Sequence, residues 1–456
     1  MTALYSLGWR VDWKEGRVIK VGLFYFQILP RTSEIFLNGK LSDKTNIIFN
    51  SATIGNLLPG KYQVEVRKEG FYPWQKTLEI KEKEATEARN ILLIPKDPGF
   101  STLTKGVKDF YFSPDGKKII LKDLPGPQDD KVLGQSVNEA WALKLFDTKN
   151  NVKSRLIGEK SKPLTGKNEL INLKFSSDSK TLLLEIAQNE QLKYYLLDIN
   201  EDPAVLSPLD PLNISLDFNN TYFNPRNPKR LLTLSQGEII EIDFEGKEEP
   251  KQLAEGVVSF SINKDSLYYI DNTGLVFRIN LMFETKDKIN KDPFPLKKET
   301  EYIINGVDSF AVLLEGKDLY FFDGTDNSSK KISSSAEGFS FSSDDKKMVY
   351  WGNNELWVLF LDRKNDQPFQ QKGDLVFLTR SSEKISSIFW LTSHYLIFNE
   401  NSKIKVAEID NRDKLNIVEF DSFSSISKFF WNNNEKKIYL LDDNILYSSN
   451  RIVPWY

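Results

Sequence analysis

The chain has 456 residues, of which 40% are hydrophobic and 27% charged, a globular composition that excludes an intrinsically disordered chain. With a formal net charge of −3, it lacks the basic surplus with which a nucleic-acid-binding protein displaces condensed counterions. It has no cysteine and one histidine, His394, which excludes disulfides, thiolate nucleophiles, cysteine-ligated zinc and metal sites with several histidines.

The N-terminal part of the chain is predicted to contain a strand rather than a membrane helix. Its longest apolar run, Val21–Leu29, is about half of the roughly 18 to 20 residues that a membrane-spanning helix needs, and Pro30 follows it. No secretory signal peptide is recognisable. We therefore expect this run to be a β-strand of a soluble chain.

Residues 27–96 are predicted to form a small antiparallel β-sandwich. Apolar and polar side chains alternate over Lys61–Arg67, which places Tyr62, Val64 and Val66 on one face of a strand. Partner strands are predicted at Glu34–Lys40 and Lys76–Ile80, and a last strand with a stiff linker at Ile91–Gly99.

Two stretches of this region resemble a known family. The sequence LLPGKYQVEVRKEGFYPWQKTLEI, with its PG-x-Y-x-V-x-V core, resembles the PEGA domain, a small extracytoplasmic β-module of bacterial surface proteins. The preceding GWRVDWKEGRVIKVG resembles the juxtamembrane stretch of membrane-anchored members, in which a membrane helix lies just before it. The resemblance implies that residues 1–26 are a juxtamembrane segment, that the protein belongs to a bacterial cell envelope, and that its N-terminal membrane anchor is absent from this chain.

A repeat dominates the remaining sequence. Each copy has an aromatic or apolar residue, a polar turn and an apolar strand opener, as in FSPDGKKI. The copies begin 37 to 63 residues apart, and most intervals are close to the roughly 40 to 45 residues of a four-stranded propeller blade. The copies are Phe112–Ile119, Phe175–Leu182, Phe223–Leu231, Phe260–Leu267, Ile304–Phe310, Phe341–Met348, Phe389–Leu396 and Trp431–Ile438. We therefore predict an all-β chain in which residues 97–456 form an eight-bladed β-propeller. Seven blades remain the alternative, because Ile304–Phe310 is degenerate.

The last repeat has only three predicted strands. An open ring would expose a hydrophobic edge strand, so we expect residues 100–105 to supply the fourth strand and close the ring. The form FSPDGKKII resembles the blades of TolB-like propellers, and this resemblance implies a fold and not a function.

Few residues are candidates for chemistry. His394 is expected to be a turn residue rather than a catalytic base. The acidic residues of the repeated turns are expected to stabilise those turns, although a ring of carboxylates would bind cations; they are Asp115, Asp178, Asp344 and Asp345. Asp323–Ser329 is rich in oxygen ligands but lacks the spacing of a calcium loop, and we predict an ordinary loop. No catalytic, cofactor-binding or metal-ligating residue is predicted.

Long loops and aromatic clusters are the remaining candidates. The insertions Leu124–Ala140 and Asp362–Asp374 are suited either to binding or to a packing or disordered role. Aromatic residues of the last three repeats would suit a carbohydrate platform, but core packing is favoured for them; they are Tyr350, Trp351, Trp357, Trp390, Phe429, Phe430 and Trp431. Phe71–Trp74 is expected to dock onto the propeller or to be the hydrophobic signature of the family.

From these observations we expect a non-enzymatic extracytoplasmic binding or scaffolding protein. It would present propeller loops to a protein or an envelope polysaccharide, as a monomer without cofactor, metal or nucleic acid. The alternatives are a lyase or glycosidase that uses the axial cleft, and a small-molecule sensor that uses the central channel.

Overall fold

The computed structural model describes residues 9–12, 16–46, 48–123, 141–150, 152–209, 216–420 and 423–454. All regular secondary structure in these residues is β-strand. No helix that could cross a membrane occurs among them.

The chain begins with a hairpin and a two-sheet body. The hairpin pairs β1 (Trp9–Asp12) with β2 (Arg17–Lys20). The body contains β3 (Gly22–Leu29), β4 (Glu34–Leu37), β5 (Lys40–Lys44), β6 (Ser51–Leu57), β7 (Gly60–Arg67), β8 (Trp74–Ile80) and β9 (Ala85–Leu92). Its two sheets have the strand orders β6-β3-β9 and β5-β4-β7-β8. We call residues 22–92 the small β-body.

The small β-body has a single hydrophobic core shared by both sheets. Phe24 and Phe26 of β3, Ile35 of β4 and Val64 and Val66 of β7 are buried in it. The alternation predicted for β7 is confirmed, since its polar side chains lie outside the core. Burial of one face against the other sheet explains the period of two.

Two details of this region differ from the sequence prediction. The sandwich is not wholly antiparallel, because β9 runs parallel to β3. The chain reaches β9 from β8, a strand of the other sheet, so it crosses over instead of turning back in a hairpin. The last strand also begins at Ala85 rather than Ile91. In the sequence, the charged residues of Glu84–Asn90 hide the alternation of buried and exposed side chains at the start of this strand.

The rest of the described chain forms eight four-stranded sheets, numbered here in chain order. β10 (Ser101–Lys105) precedes them. The first sheet contains β11 (Val107–Phe112), β12 (Lys118–Asp123), β13 (Ala142–Asp147) and β14 (Val152–Gly158), and the second contains β15 (Asn168–Phe175), β16 (Thr181–Gln188), β17 (Gln191–Asp198) and β18 (Leu206–Pro208). The third contains β19 (Thr221–Phe223), β20 (Arg230–Ser235), β21 (Glu238–Asp243) and β22 (Lys251–Ala254), and the fourth contains β23 (Val257–Asn263), β24 (Ser266–Asp271), β25 (Val276–Asn280) and β26 (Thr285–Lys288). The fifth contains β27 (Tyr302–Val307), β28 (Phe310–Glu315), β29 (Asp318–Asp323) and β30 (Ser328–Ser333). The sixth sheet contains β31 (Gly338–Phe341), β32 (Lys347–Trp351), β33 (Glu355–Phe360) and β34 (Leu375–Arg380). The seventh contains β35 (Ile385–Thr392), β36 (Tyr395–Glu400), β37 (Lys403–Glu408) and β38 (Ile417–Glu419). The eighth contains β39 (Ile426–Asn432), β40 (Lys437–Asp442) and β41 (Ile445–Ser448), together with β10.

The repeat of the sequence marks the same place in every sheet. Each copy spans the turn between the first and second strands; Phe112, for example, ends β11 and Lys118 begins β12. The degenerate copy Ile304–Phe310 also does so, between β27 and β28. The eighth sheet has the order β10-β41-β40-β39, so the strand at Ser101–Lys105 pairs where the sequence predicted.

The chain divides into two compact units. One contains residues 1–103 and 337–456, and thus the small β-body with the sixth, seventh and eighth sheets. The other contains residues 104–336, with the first five sheets.

Within each unit, consecutive sheets pack face to face. In the unit of residues 104–336, Ile120 of the first sheet shares a core with Leu184 of the second. In the other unit, Val349 of the sixth sheet shares a core with Phe398 of the seventh. The second strand of a sheet is therefore covered on both faces, which explains why these strands are continuous apolar runs.

Candidate binding cleft

A buried lysine attaches the small β-body to the seventh sheet. The Lys76 side chain has no solvent exposure, and its Nζ lies 2.6 Å from Glu408 Oε1. Nζ also donates hydrogen bonds to the backbone oxygens of Asp410, Arg412 and Lys414, at 2.8, 2.8 and 2.6 Å. A desolvated ammonium is tolerated here because a carboxylate and three carbonyls replace its water.

Glu408 is the centre of this contact. Its carboxylate accepts hydrogen bonds from Trp74 Nε1 at 2.7 Å and from Asn416 Nδ2 at 2.7 Å. Burial raises the pKa of Glu408, while the neighbouring Lys76 ammonium opposes that change. Tyr72 adds a hydrogen bond from its hydroxyl to the backbone oxygen of Glu419, at 3.0 Å. Of the two roles expected for Phe71–Trp74, docking or a hydrophobic signature of the family, Tyr72 and Trp74 show docking, onto the seventh sheet.

Two loops cover strand edges of the small β-body. Gln367, in the insertion Asp362–Asp374, donates through Nε2 to Ala85 O at 3.0 Å and accepts from Glu87 N at 3.1 Å through Oε1. Its amide thus occupies the position of a neighbouring strand along β9. At the other edge, Asp413 Oδ2 accepts from Thr77 N of β8 at 2.7 Å. The observed contacts of the insertion Asp362–Asp374 are therefore packing contacts, which is one of the roles expected for it.

A cleft of about 590 Å³ opens between these loops and the small β-body. This volume lies in the range of small-molecule and cofactor pockets, about 300–1,000 Å³. Its walls come from β8 and the turn after it, from the segment around Gln367, and from the β37–β38 loop. The aromatic ring at its rim is Phe369, which is 64% exposed.

Equal numbers of basic and acidic side chains line the cleft among the described residues. The basic side chains are Lys61, Lys81 and Arg412, and the acidic ones are Glu79, Glu84 and Asp413. The hydrogen bond from Thr77 N lowers the pKa of Asp413, so this carboxylate is ionised near neutral pH. A surface of this kind offers both donors and acceptors beside one apolar ring. It suits a polar ligand without a large net charge.

No protein-family model and no curated protein matches the chain. Two solved structures are similar over most of its length. One is the β-propeller domain of Cps50 (Swd1) from Myceliophteria thermophila, at 11% identity and a TM-score of 0.41, covering 76% of this chain and 98% of that one. The other is the computationally designed Ika8 protein, at 11% identity and a TM-score of 0.45, covering 76% of this chain and 96% of that one. Likenesses this distant say nothing of a ligand.

His394 lies in the turn between β35 and β36, as predicted. Its Nδ1 is 3.1 Å from Ser393 Oγ and its Nε2 is 3.3 Å from Asn90 Nδ2 of the small β-body. Burial and the charges of Lys347 and Lys364 lower the pKa of the imidazole to about 4. The ring is therefore neutral at pH 7 and connects a turn of the seventh sheet with the small β-body.

The acidic residues of the repeated turns stabilise those turns. In three sheets a serine Oγ donates to the carboxylate two residues later at 2.6 Å, in the pairs Ser113–Asp115, Ser176–Asp178 and Ser342–Asp344. Asp345 has a φ of 58° in the same turn. Within the described ranges, no group of three or more acidic or histidine side chains could hold a metal ion.

The other sequence candidates fall into three groups. Asp323–Ser329 spans the turn between β29 and β30, as predicted. Tyr350, Trp390, Phe429 and Trp431 are buried, which confirms core packing for them. Trp351, Trp357 and Phe430 are half-buried. The insertion Leu124–Ala140 lies outside the described residues.

Sequence reasoning missed the Lys76–Glu408 pair, although β8 carried a signal. Trp74, Lys76, Leu78 and Ile80 share the buried face of that strand. A lysine among apolar residues on such a face indicates a buried partner of opposite charge.

Proposed function

We propose that the protein is a non-enzymatic binding or scaffolding protein whose ligand enters the cleft beside the small β-body. The observation that carries the proposal is the cleft itself, which has a suitable volume, mixed donors and acceptors, and Phe369 exposed at its rim. The ligand is a protein segment or an envelope polysaccharide.

The proposed architecture is an eight-bladed β-propeller that carries a PEGA-like domain. Eight consecutive four-stranded sheets, each beginning at the same repeat, support the blade count. The pairing of β10 with β41 supports closure of the ring, since it joins a strand from before the first sheet to the last sheet. Face-to-face packing of consecutive sheets is also what blades require.

The proposed location is the outer side of a bacterial membrane. The resemblance of residues 57–80 to PEGA domains supports it. In this proposal the small β-body lies near the membrane and forms one side of the binding cleft, and the propeller sheets provide a rigid support.

Two matched phenylalanine variants test the proposed function. Phe369→Ala removes the ring at the cleft rim, whereas Phe283→Ala removes a ring of similar exposure (67%) from the β25–β26 turn. Immobilised wild type and both variants are incubated with cell-envelope extract of the source organism, with and without protease treatment. Protease sensitivity of the captured component separates a protein partner from a polysaccharide.

We expect the wild type and Phe283→Ala to retain the same component, and Phe369→Ala to retain at least about tenfold less, because burying an exposed phenylalanine ring against a ligand contributes about 1.5–3 kcal/mol. Equal retention by Phe369→Ala would refute the role of the cleft.

A further inference from the structure

A second pocket, of about 220 Å³, lies on another side of the small β-body, where it meets the first turns of the sixth, seventh and eighth sheets. Asn50 and Asn90 of the small β-body line it, together with Ser393 and His394 of the seventh sheet and Asn433 and Lys436 of the eighth. All of these residues belong to one compact unit.

The polar lining of this pocket consists of amides, hydroxyls, one imidazole and one ammonium. No carboxylate lines it among the described residues. This distinguishes it from the cleft described above, in which acidic and basic side chains balance. Amides and hydroxyls both donate and accept hydrogen bonds, so they match a ligand that carries several hydroxyl groups.

Lys436 supplies the positive charge of the pocket. Its Nζ donates to Asn433 Oδ1 at 2.6 Å, and no carboxylate of the described residues lies within ion-pair distance of it. Burial and the nearby charge of Arg451 lower the pKa of Lys436. An anion beside Nζ would relieve both effects, because it returns a charge partner to a partly desolvated ammonium.

His394 adds a neutral polar group to the wall. Asn90 Nδ2 donates to its Nε2, which leaves Nδ1–H to donate to Ser393 Oγ. The imidazole therefore contributes no second positive charge at pH 7. Lys436 is thus the cationic side chain among the described residues that line the pocket, and its ammonium is a compact point charge that can pair with a carboxylate.

We propose that this pocket binds a small hydroxylated monocarboxylate of the size of a sugar acid. Lys436 pairs with the carboxylate, and the amide and hydroxyl side chains bind the hydroxyl groups. The site is distinct from the cleft of the proposed function and does not depend on it. The same chemistry occurs in a free sugar acid and in the terminal uronate of a polysaccharide.

The test is isothermal titration of the full chain with sodium D-glucuronate, with D-glucose as the neutral counterpart of similar size. Lys436→Gln removes the charge. Lys264→Gln is the matched control, because Lys264 has a similar left-handed backbone (φ 52° against 58°) in the corresponding turn of the fourth sheet and does not line this pocket. A trimer of galacturonate is titrated in the same way, to represent the end of a polysaccharide chain.

We expect D-glucuronate to bind at least about tenfold more tightly than D-glucose, because only the acid forms a charge-assisted hydrogen bond with Lys436. Lys436→Gln should abolish that preference and Lys264→Gln should retain it. Binding of the monomer alone assigns the free acid, and binding of the trimer as well assigns a chain end. Equal affinities for the two sugars, an unchanged Lys436→Gln variant, or no binding of D-glucuronate would overturn the proposal.

Discussion

At His394, burial and the charges of Lys347 and Lys364 lower the pKa of the imidazole to about 4, whereas an exposed histidine titrates near 6.5. The imidazole of the unfolded chain therefore binds a proton at a higher pH than the imidazole of the folded chain. For this reason acidification from about pH 6.5 to 4 favours unfolding. The chain has no other histidine, so a single set of imidazole resonances reports on this site.

We therefore expect the imidazole resonances in an NMR pH titration to shift with a midpoint near 4. The replacement His394→Gln should make thermal stability less dependent on pH between 6.5 and 4 than it is in the wild type. A midpoint near 6.5 in the folded protein would contradict the desolvation of this partly buried ring.

A second prediction at the residue scale concerns Lys76. The replacement Lys76→Met leaves the Glu408 carboxylate buried without its ammonium and should destabilise the docked small β-body by about 3–5 kcal/mol. We expect a clearly lower melting temperature by differential scanning calorimetry. Adding Glu408→Gln should recover part of the loss, because it removes the unpaired buried charge while its amide oxygen still accepts from Asn416.

The matched control for Lys76 is Lys403→Met. Lys403 pairs with Glu419 at 2.7 Å on the same sheet, but both side chains are more than 40% exposed. Exposed ion pairs contribute little to stability, so the melting temperature should not change. Equal effects of the two replacements would mean that Lys76 is not buried.

Among the elements, strand β9 depends on a side chain from a distant loop. Gln367→Ala removes both hydrogen bonds of the amide to β9, and the Glu87 N–H loses its acceptor. We expect hydrogen–deuterium exchange of that amide to rise about two- to twelvefold, since a net hydrogen bond contributes about 0.5–1.5 kcal/mol. Gln371→Ala in the same loop should leave exchange in β9 unchanged. If both variants exchange alike, Gln367 does not cover this edge.

The elements that the sequence predicted are those whose signal is local. Residues 61–67 alternate because one face meets the core of the small β-body, and each repeat turn contains its own hydrogen bonds, as in Ser176 with Asp178. The sequence predicts that strand β9 begins too late in the chain. The reason is that Glu87 and Arg89 pair with each other on its outer face, and such charged residues are typical of a loop.

The binding cleft could not be predicted because its walls are distant in sequence. Residues near 61–86, 367–369 and 412–413 meet only after the small β-body has docked. The repeat predicts where a sheet begins, and it carries no information about which loop covers which strand edge.

At the scale of the whole molecule, the proposed propeller requires that a strand from the start of the sheet series pairs with the last sheet. β10 precedes the first sheet but pairs with β41 of the last, and Ser101 Oγ lies 3.5 Å from Ser448 O. In the proposed propeller, this pairing completes the last blade with a strand that precedes the first one in the chain.

The most direct test uses the absence of native cysteines. In the double variant Ser101→Cys and Ser448→Cys, a short bifunctional thiol reagent is added to dilute protein, and the products are mapped by peptide mass spectrometry, with each single variant as a control. Closure predicts a monomer in which the peptides containing positions 101 and 448 are joined in most molecules. Free thiols, or links found only between chains, would contradict closure of the ring.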